Sequence, residues 1–212
     1  MQHLRNNCVS TIRANQGVLS WVLVFYLVCL RIVAGIMEFE QVIKKRRMIR
    51  EFDPDKQIAE KIITKLIRNA HRAPSAGHTQ VQEFIIIRDR AIKKRLRRAA
   101  VNQEYVEDAP ILIIVCSNTS RSEQRYGRRG REFYSIIDGA FASMLILLTA
   151  VNERIGAGFV GAFDDGKVSE ILKLPRYVRP IGIIILGYPK ETEPFERFER
   201  IAIEDLIHYE KW

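Results

Sequence analysis

PIGIIILGYP, Pro180–Pro189, is a short and continuous apolar run bounded by proline and glycine. A run of this length, rich in β-branched residues, predicts a strand that is buried on both faces. Two earlier stretches have the same character: EFIIIRD at 83–89 and ILIIVCS at 111–117. A shorter strand is predicted at 157–160. From Met37 onward these strands alternate with helices, and no internal repeat is found.

The helices are predicted from apolar periodicity and from breakers. The residues after Asp138, up to Val151, carry no charge and are apolar around the whole helical circumference. Such a helix is expected to be buried on all sides, in the core or at a subunit contact. Asp164 and Asp165 are expected to cap a helix, and Asn118–Arg131 is expected to be a mobile, charged excursion. Further helices are predicted at 38–45, from Pro54 to Ala70, at 91–100 and from about Asp165 to Lys173.

The 212 residues suffice for one sizeable domain, or one domain with an extension. The net charge is +9, and residues 37–212 contribute +6 of it, from 31 basic and 25 acidic residues. This excess suits an anionic ligand or a nonspecific nucleic-acid surface. The three cysteines (Cys8, Cys29, Cys116) form no pair motif, and the four histidines are scattered, so no metal site is predicted. A reducing, cytoplasmic location fits.

Residues 1–36 differ from the rest of the chain and are assigned as an N-terminal extension. GVLSWVLVFYLVCL (17–30) is shorter than the ~20 residues that a membrane-spanning helix needs. A membrane anchor, an export signal and a dispensable extension ahead of a start at Met37 remain open. We favour the last, so membrane association would run only through residues 17–36.

GAGFVG, Gly156–Gly161, matches the G-x-G-x-x-G pattern of dinucleotide-binding folds. The expected helix would begin about four residues late, and no acidic residue lies between Glu170 and Glu191 to bind a ribose. A dinucleotide-binding fold is therefore not predicted. The glycines are better explained by close approach of the backbone to something flat or crowded.

KKRRMIREF (44–52) places three arginines within five residues. Arginine suits phosphate oxygens because its planar fork can bind them in pairs. Taken alone, the stretch fits a phosphate site and a solvated surface equally well.

Five stretches in this order resemble the FMN-dependent nitroreductase family over residues 37–212. The resemblance implies an α+β fold, a three-layer sandwich with a mostly antiparallel sheet between helices, assembled as an intertwined homodimer with FMN at its interface. The stretches are RRMIREF (46–52), APSAGHTQ (73–80), NQEYVEDAP (102–110), GFVGAFD (158–164), and PIGIIILGYP (180–189) with the trailing ERIAIEDLIHYEKW (199–212).

The resemblance also implies which residues hold FMN. Arg46 and Arg200 would bind the phosphate, while Arg47 and the backbone at Met48 would lie along the ribityl chain. Arg50 and Asn102 would approach the pyrimidine edge. The other subunit would supply Pro74, Ser75, Ala76 and His78, and backbone amides of Gly161 and Ala162 would lie near N5. The chain departs from the family at Met48, usually serine, at His78, commonly asparagine, and at Val81, commonly proline.

The implied activity is a ping-pong oxidoreductase that passes hydride from NADH or NADPH, through flavin N5, to a small acceptor such as a nitroaromatic or quinone. No side chain need act as nucleophile or base. Tyr105, Tyr126 and Tyr134 could line the slot. Within the same fold, a dehalogenase, a flavin-cleaving enzyme or an alkene reductase are alternatives. Two further alternatives are a flavin carrier without turnover and a nucleic-acid-binding module that uses Lys93–Arg98 and Arg128–Arg131. No nucleic-acid partner is predicted, because these basic runs lack interleaved aromatic residues.

Overall fold

The computed structural model describes residues 37–190 and 199–212. The extension at 1–36, with its three open interpretations, lies outside the described residues. The helices are α1 (Phe39–Lys45), α2 (Glu60–Ala70), α3 (Arg90–Ala99), α4 (Glu104–Asp108), α5 (Thr119–Arg129), α6 (Ser135–Asn152) and α7 (Asp165–Leu172). The strands are β1 (Gln82–Ile87), β2 (Ile111–Asn118), β3 (Gly156–Val160) and β4 (Val178–Gly187).

The four strands form one sheet in the order β1-β2-β4-β3, and every neighbouring pair is antiparallel. β2 and β4 are the inner strands, and all eight residues of β2 are buried. A strand reads as a continuous apolar run when both of its faces are covered, which explains ILIIVCS and PIGIIILGYP.

Helices cover the two faces and make two hydrophobic cores. Alternate residues of β2 separate between them: Ile113 and Val115 pack with α2 and α6, whereas Leu112 and Ile114 pack with α3, α4 and α7. This period of two is the pleat of a strand. The α+β class and the three-layer sandwich with an antiparallel sheet are thereby confirmed.

The prediction of a helix from Pro54 was wrong at its start, since α2 begins at Glu60. The side chain of Asp53 accepts a hydrogen bond of 3.0 Å from the backbone N–H of Asp55, and this arrangement favours a turn over a helix. The chain then runs without helix to Ala59, and Ile58 is buried ahead of α2.

The charged excursion at Asn118–Arg131 is helical in the structure, contrary to prediction. α5 kinks at Gly127, where φ is +58°, and a π-helical turn at Gly130–Tyr134 leads directly into α6. Arg128 and Glu132, four residues apart, form an ion pair at 2.7 Å, and Arg131 reaches Glu123 at 3.2 Å. The first of these pairs has the spacing of four residues that stabilises a helix.

Helix α6 is enclosed on one side in the single chain, and its burial on all sides, in the core or at a subunit contact, stays a prediction. One side packs on the sheet through residues such as Ala142 and Ile146, but Phe141 and Met144 are 46% and 47% exposed in the single chain. The continuous helical run Thr119–Asn152 is, by length and composition, apolar enough to cross a bilayer, and half of its most apolar stretch is buried inside the fold.

The glycine-rich segment is not a dinucleotide-binding turn. Gly156 and Gly158 lie within the edge strand β3, which runs antiparallel to β4, and α7 begins only at Asp165. Asp164 is the N-cap of α7 and accepts a hydrogen bond of 2.9 Å from the N–H of Lys167. Asp165 is the first helical residue and pairs with Arg179 at 3.2 Å. Of the two expected caps, Asp164 is confirmed.

Candidate functional site

The arginine segment runs beside the sheet edge that carries the glycines. The backbone N–H of Ile49 donates to Ala157 at 3.1 Å, and that of Asp53 donates to Tyr188 at 2.8 Å. Phe52 forms an isolated bridge with Pro189. Gly158 leaves room for Met48, because a Cβ on Gly158 would lie only 2.7 Å from the Met48 methyl carbon. The glycine pattern therefore seats the arginine segment against β3.

The cations of this segment form a basic surface. Arg46 is half-buried and has no ion pair among the residues that the structure describes. Arg47 lines a pocket of about 340 Å³ together with Lys45 and Arg154, and no acidic side chain of the described residues lines it. A concave surface with one sign of charge raises the local concentration of anions. Lys45 and Arg154 had not been identified from the sequence.

The turn that carries Asn102 has an uncommon backbone. Val101 and Asn102 both have positive φ, +55° and +56°, and the N–H of Asn102 donates to Arg97 at 3.0 Å. Asparagine tolerates this conformation, but a β-branched valine does so rarely. Val101 is also 71% exposed, so it gains little from packing. Backbone strain of this kind clusters at functional sites.

Gln103 ties this turn to the glycine segment. Its amide group donates to the carbonyl oxygens of Ala100, at 2.7 Å, and Ala162, at 3.1 Å. The Tyr105 hydroxyl donates to the Gln103 carbonyl oxygen, and the guanidinium of Arg50 lies 5.7 Å from the Tyr105 ring centre. This chain of contacts joins three of the predicted segments: the one with Arg50, the one with Asn102, and the one with Gly161 and Ala162.

The loop with Pro74, Ser75, Ala76 and His78 lies elsewhere, against the beginning of α6 and against α5. The backbone N–H of Ala76 donates to both carboxylate oxygens of Asp138, at 3.1 and 3.2 Å. The Ser75 hydroxyl accepts the N–H of Gln80 at 3.0 Å. Gly77 and His78 have positive φ, and Pro74 and His78 are exposed. None of this loop's hydrogen bonds reaches the arginine segment.

Asp138 is the buried anchor of that loop, with 2% exposure. Burial raises the pKa of its carboxyl, and the hydrogen bond from Ala76 partly offsets this effect. This residue could be noticed in the sequence, because Asp138 is the one charge in an otherwise uncharged helix. Gln103 and its role as a clamp carried no such signal.

Arg200 lies on a tail that the single chain does not cover. Every residue from Glu199 to Trp212 is exposed, and the hydrogen bonds of the tail are local, such as the one from Lys211 to Tyr209 at 2.7 Å. Large apolar side chains stand exposed here, including Ile201 at 68% and Trp212 at 101%. Within one chain, Arg200 is therefore not assembled with Arg46.

The basic run at Lys93–Arg98 is cationic and exposed at Lys94, Arg95 and Arg98, whereas Lys93 and Arg97 have partners inside the fold. Lys93 is buried, donates to the carbonyl oxygen of Ala109 at 2.6 Å, and has a pKa lowered by burial and by the charge of Arg90. Arg97 pairs with Glu107 at 3.1 Å. In the described residues, no three His, Cys, Asp or Glu side chains could hold a metal ion.

The chain is similar to known proteins of one family. A model described as "Nitroreductase family" matches residues 43–104 and 97–188. A relative from Methanothermobacter thermautotrophicus, which has the provisional name NADH dehydrogenase/NAD(P)H nitroreductase, is 33% identical over 180 residues. The match covers 83% of this chain and 88% of the relative.

Two solved structures are similar. A nitroreductase family protein from Clostridium novyi has a TM-score of 0.66 and 30% identity, over 74% of this chain and 87% of its own. The NADPH:FMN oxidoreductase from Vibrio harveyi, complexed with NAD⁺, has a TM-score of 0.74 and 22% identity. That match covers 82% of this chain and 77% of the other, and it shows the fold alone.

Proposed function

The chain belongs to the nitroreductase family and is an NAD(P)H-dependent oxidoreductase, and from this premise we propose that FMN is its cofactor and a homodimer its working form. One observation carries the proposal. Contacts through Tyr105 and Gln103 connect Arg50, the strained turn at Val101–Asn102 and the segment with the exposed Gly161 and Ala162.

The arginine charges and the exposed backbone of the glycine segment suit a flavin mononucleotide. Arg46 and Arg47, with Arg200 from a second chain, would hold the phosphate, since guanidinium groups bind phosphate oxygens in pairs. The backbone at Met48 would lie along the ribityl chain. Gly161 and Ala162 are exposed, and their backbone N–H groups would serve the N5 edge.

Arg50 and Asn102 would face the pyrimidine edge. The guanidinium of Arg50 lies over the ring of Tyr105, and the hydroxyl of Tyr105 donates a hydrogen bond to the side-chain oxygen of Gln103. A fixed positive charge there stabilises negative charge on the pyrimidine without a titrating group, because arginine stays protonated. Asn102 is displayed at the surface by its left-handed backbone.

The exposed apolar surface supports a homodimer. Phe141 and Met144 on α6, and Ile201, Leu206 and Trp212 on the tail, are each at least 46% exposed. Large apolar side chains left exposed on two elements are typical of a surface that a partner subunit covers. A second chain would also bring its Pro74, Ser75, Ala76, His78 and Arg200 to the site.

When bound, FMN supplies hydride transfer, which allows NADH or NADPH and an acceptor such as a nitroaromatic or a quinone to use one slot in turn, in a ping-pong sequence. The protein's part is to bind, orient and exclude water. None of the side chains assigned to FMN binding acts as a nucleophile or base in this mechanism.

The test is flavin retention. Purified protein should show flavin absorbance that NADH or NADPH bleaches without oxygen. Replacing Arg46 or Arg200 by alanine should weaken FMN binding by about tenfold to a hundredfold, the worth of a charge-assisted hydrogen bond. Arg98→Ala, an exposed arginine on α3, is the matched control and should change nothing. Protein that takes up no FMN, or variants that retain it fully, would contradict the proposal.

A further inference from the structure

Helix α5 and the turn after it display arginines together with aromatic rings. We define the arginine–aromatic cluster as Arg125, Tyr126, Arg129, Phe133 and Tyr134. The Tyr126 and Tyr134 rings meet edge to face at 5.2 Å, and Phe133 and Tyr134 lie 5.8 Å apart. Four of its five residues are exposed, and Tyr134 is partly buried.

Acidic neighbours neutralise the other arginines of the segment. Arg121 pairs with Glu83 at 2.7 Å, Arg128 with Glu132 at 2.7 Å, and Arg131 with Glu123 at 3.2 Å. Arg125 and Arg129 have no ion pair in the described part of the chain. Arg125 donates instead to the carbonyl oxygen of Gly77.

Within the cluster, Arg129 is the cation that neighbouring side chains orient while leaving part of its guanidinium group available to a ligand. Its guanidinium carbon lies 4.8 Å from the Phe133 ring centre and 5.3 Å from that of Tyr134. Its Nε donates to the Tyr134 hydroxyl at 3.0 Å, so its two terminal amino groups are left to bind an anion. Packing against rings fixes the arginine and lowers the ordering cost of binding.

The cluster is joined to the loop that carries Ser75, Ala76 and His78. A Cβ on Gly77 would meet the Tyr126 hydroxyl and lie 2.6 Å from Arg125 Nε, so loop and cluster are in close contact. In the proposed function this loop faces the flavin of the partner subunit. The cluster therefore stands beside the slot that the nicotinamide reductant enters.

Resting on that proposed function, we propose that the arginine–aromatic cluster binds the adenosine 2′-phosphate of NADPH, and that the enzyme prefers NADPH to NADH. Arg129 binds the 2′-phosphate, and the exposed face of Phe133 stacks on the adenine ring. A phosphate monoester is recognised by a positively charged hydrogen-bond donor, and an aromatic base is recognised by stacking on the face of an aromatic ring. Arg129 and Phe133 offer both within one turn of chain.

The experiment compares the reductants in the flavin-loaded dimer, with Arg129→Gln beside Arg128→Gln. Both arginines are exposed neighbours, but Arg128 is already paired with Glu132. Wild type should use NADPH with about tenfold or greater kcat/KM over NADH, from one charge-assisted contact. Arg129→Gln should remove most of that preference through the NADPH value, and Arg128→Gln should keep it. A wild type without preference, or an unchanged ratio in Arg129→Gln, would overturn the proposal.

A binding measurement separates this proposal from the proposed function. Calorimetry on the same proteins uses adenosine 2′,5′-bisphosphate against adenosine 5′-monophosphate, and it needs no turnover. If wild type binds the bisphosphate more tightly than the monophosphate, and Arg129→Gln abolishes this difference, the proposal for the cluster is supported. It is supported even if the protein oxidises neither reductant, a result that would contradict the proposed function alone. Equal binding of the two nucleotides refutes the cluster even in an active enzyme.

Discussion

Replacing Gly130 by alanine should destabilise the protein, although this glycine has helical backbone angles of −60° and −50°. An added Cβ would lie 2.7 Å from the carbonyl carbon of Ser122 and closer still to its oxygen. Carbon atoms normally approach to ~3.5 Å, so α5 would have to move by nearly 1 Å. The obstacle is backbone, and a change of rotamer cannot relieve it.

The magnitude follows from two opposing effects. Alanine in a helical conformation gains up to about 1 kcal/mol over glycine, whereas overpacking a buried contact costs about 1–3 kcal/mol, and toward the upper end when backbone must shift. We expect a net loss of about 1–2 kcal/mol in the free energy of unfolding. Urea denaturation followed by circular dichroism measures it.

Gly166→Ala in α7 is the matched control. Its Cβ would lie 3.3 Å from Oδ1 of Asp164, which need shift by only a few tenths of an ångström and can still accept from Lys167, now at 2.9 Å. This variant should therefore be neutral or slightly more stable than wild type. If Gly130→Ala proves as stable as Gly166→Ala, the packing of α5 against the turn is not as described.

Three further predictions concern buried groups. The pKa of Asp138 is raised in the folded state, so the folded protein binds this proton more strongly than the unfolded chain, and stability falls as the pH rises from the ordinary pKa of 3.8 through the raised pKa. Asp138→Asn should remove this part of the fall when the free energy of unfolding is measured by denaturation between pH 4 and 7. Equal pH dependence in wild type and variant would speak against it. Burial raises the pKa of Cys116 to about 12, so with Cys8 and Cys29 replaced by serine the native protein should not react with a thiol reagent at pH 8 until urea unfolds it; fast reaction of the native form would be inconsistent with this burial. Leu112→Ala should cost about 2–5 kcal/mol because Leu112 is fully buried between β2 and its helices, whereas Ile86→Ala on the edge strand, 37% exposed, should cost less than half as much in the same assay.

Sequence alone identified the strands, most of the helices and the family. Runs such as ILIIVCS could be interpreted because complete burial on both faces leaves only apolar residues in a strand. The arginine segment could be found because its charges are consecutive, and Asp164 could be found because helix capping depends on a few neighbouring residues. The NAD(P)H-dependent oxidoreductase activity predicted from the ordered motifs is confirmed by the comparisons.

The convergence of the site needed the tertiary structure. Gln103 reaches Ala162 across 59 positions of chain, and Asp138 holds Ala76 across 62. The start of α2 and the folding of α5 were predicted wrongly, because a side-chain turn at Asp53 and a set of ion pairs decided them. Local sequence patterns indicate whether each residue is buried or exposed and how it interacts with its neighbours along the chain. They do not report which distant backbone group a polar side chain will find, since that depends on how the sheet and its helices pack.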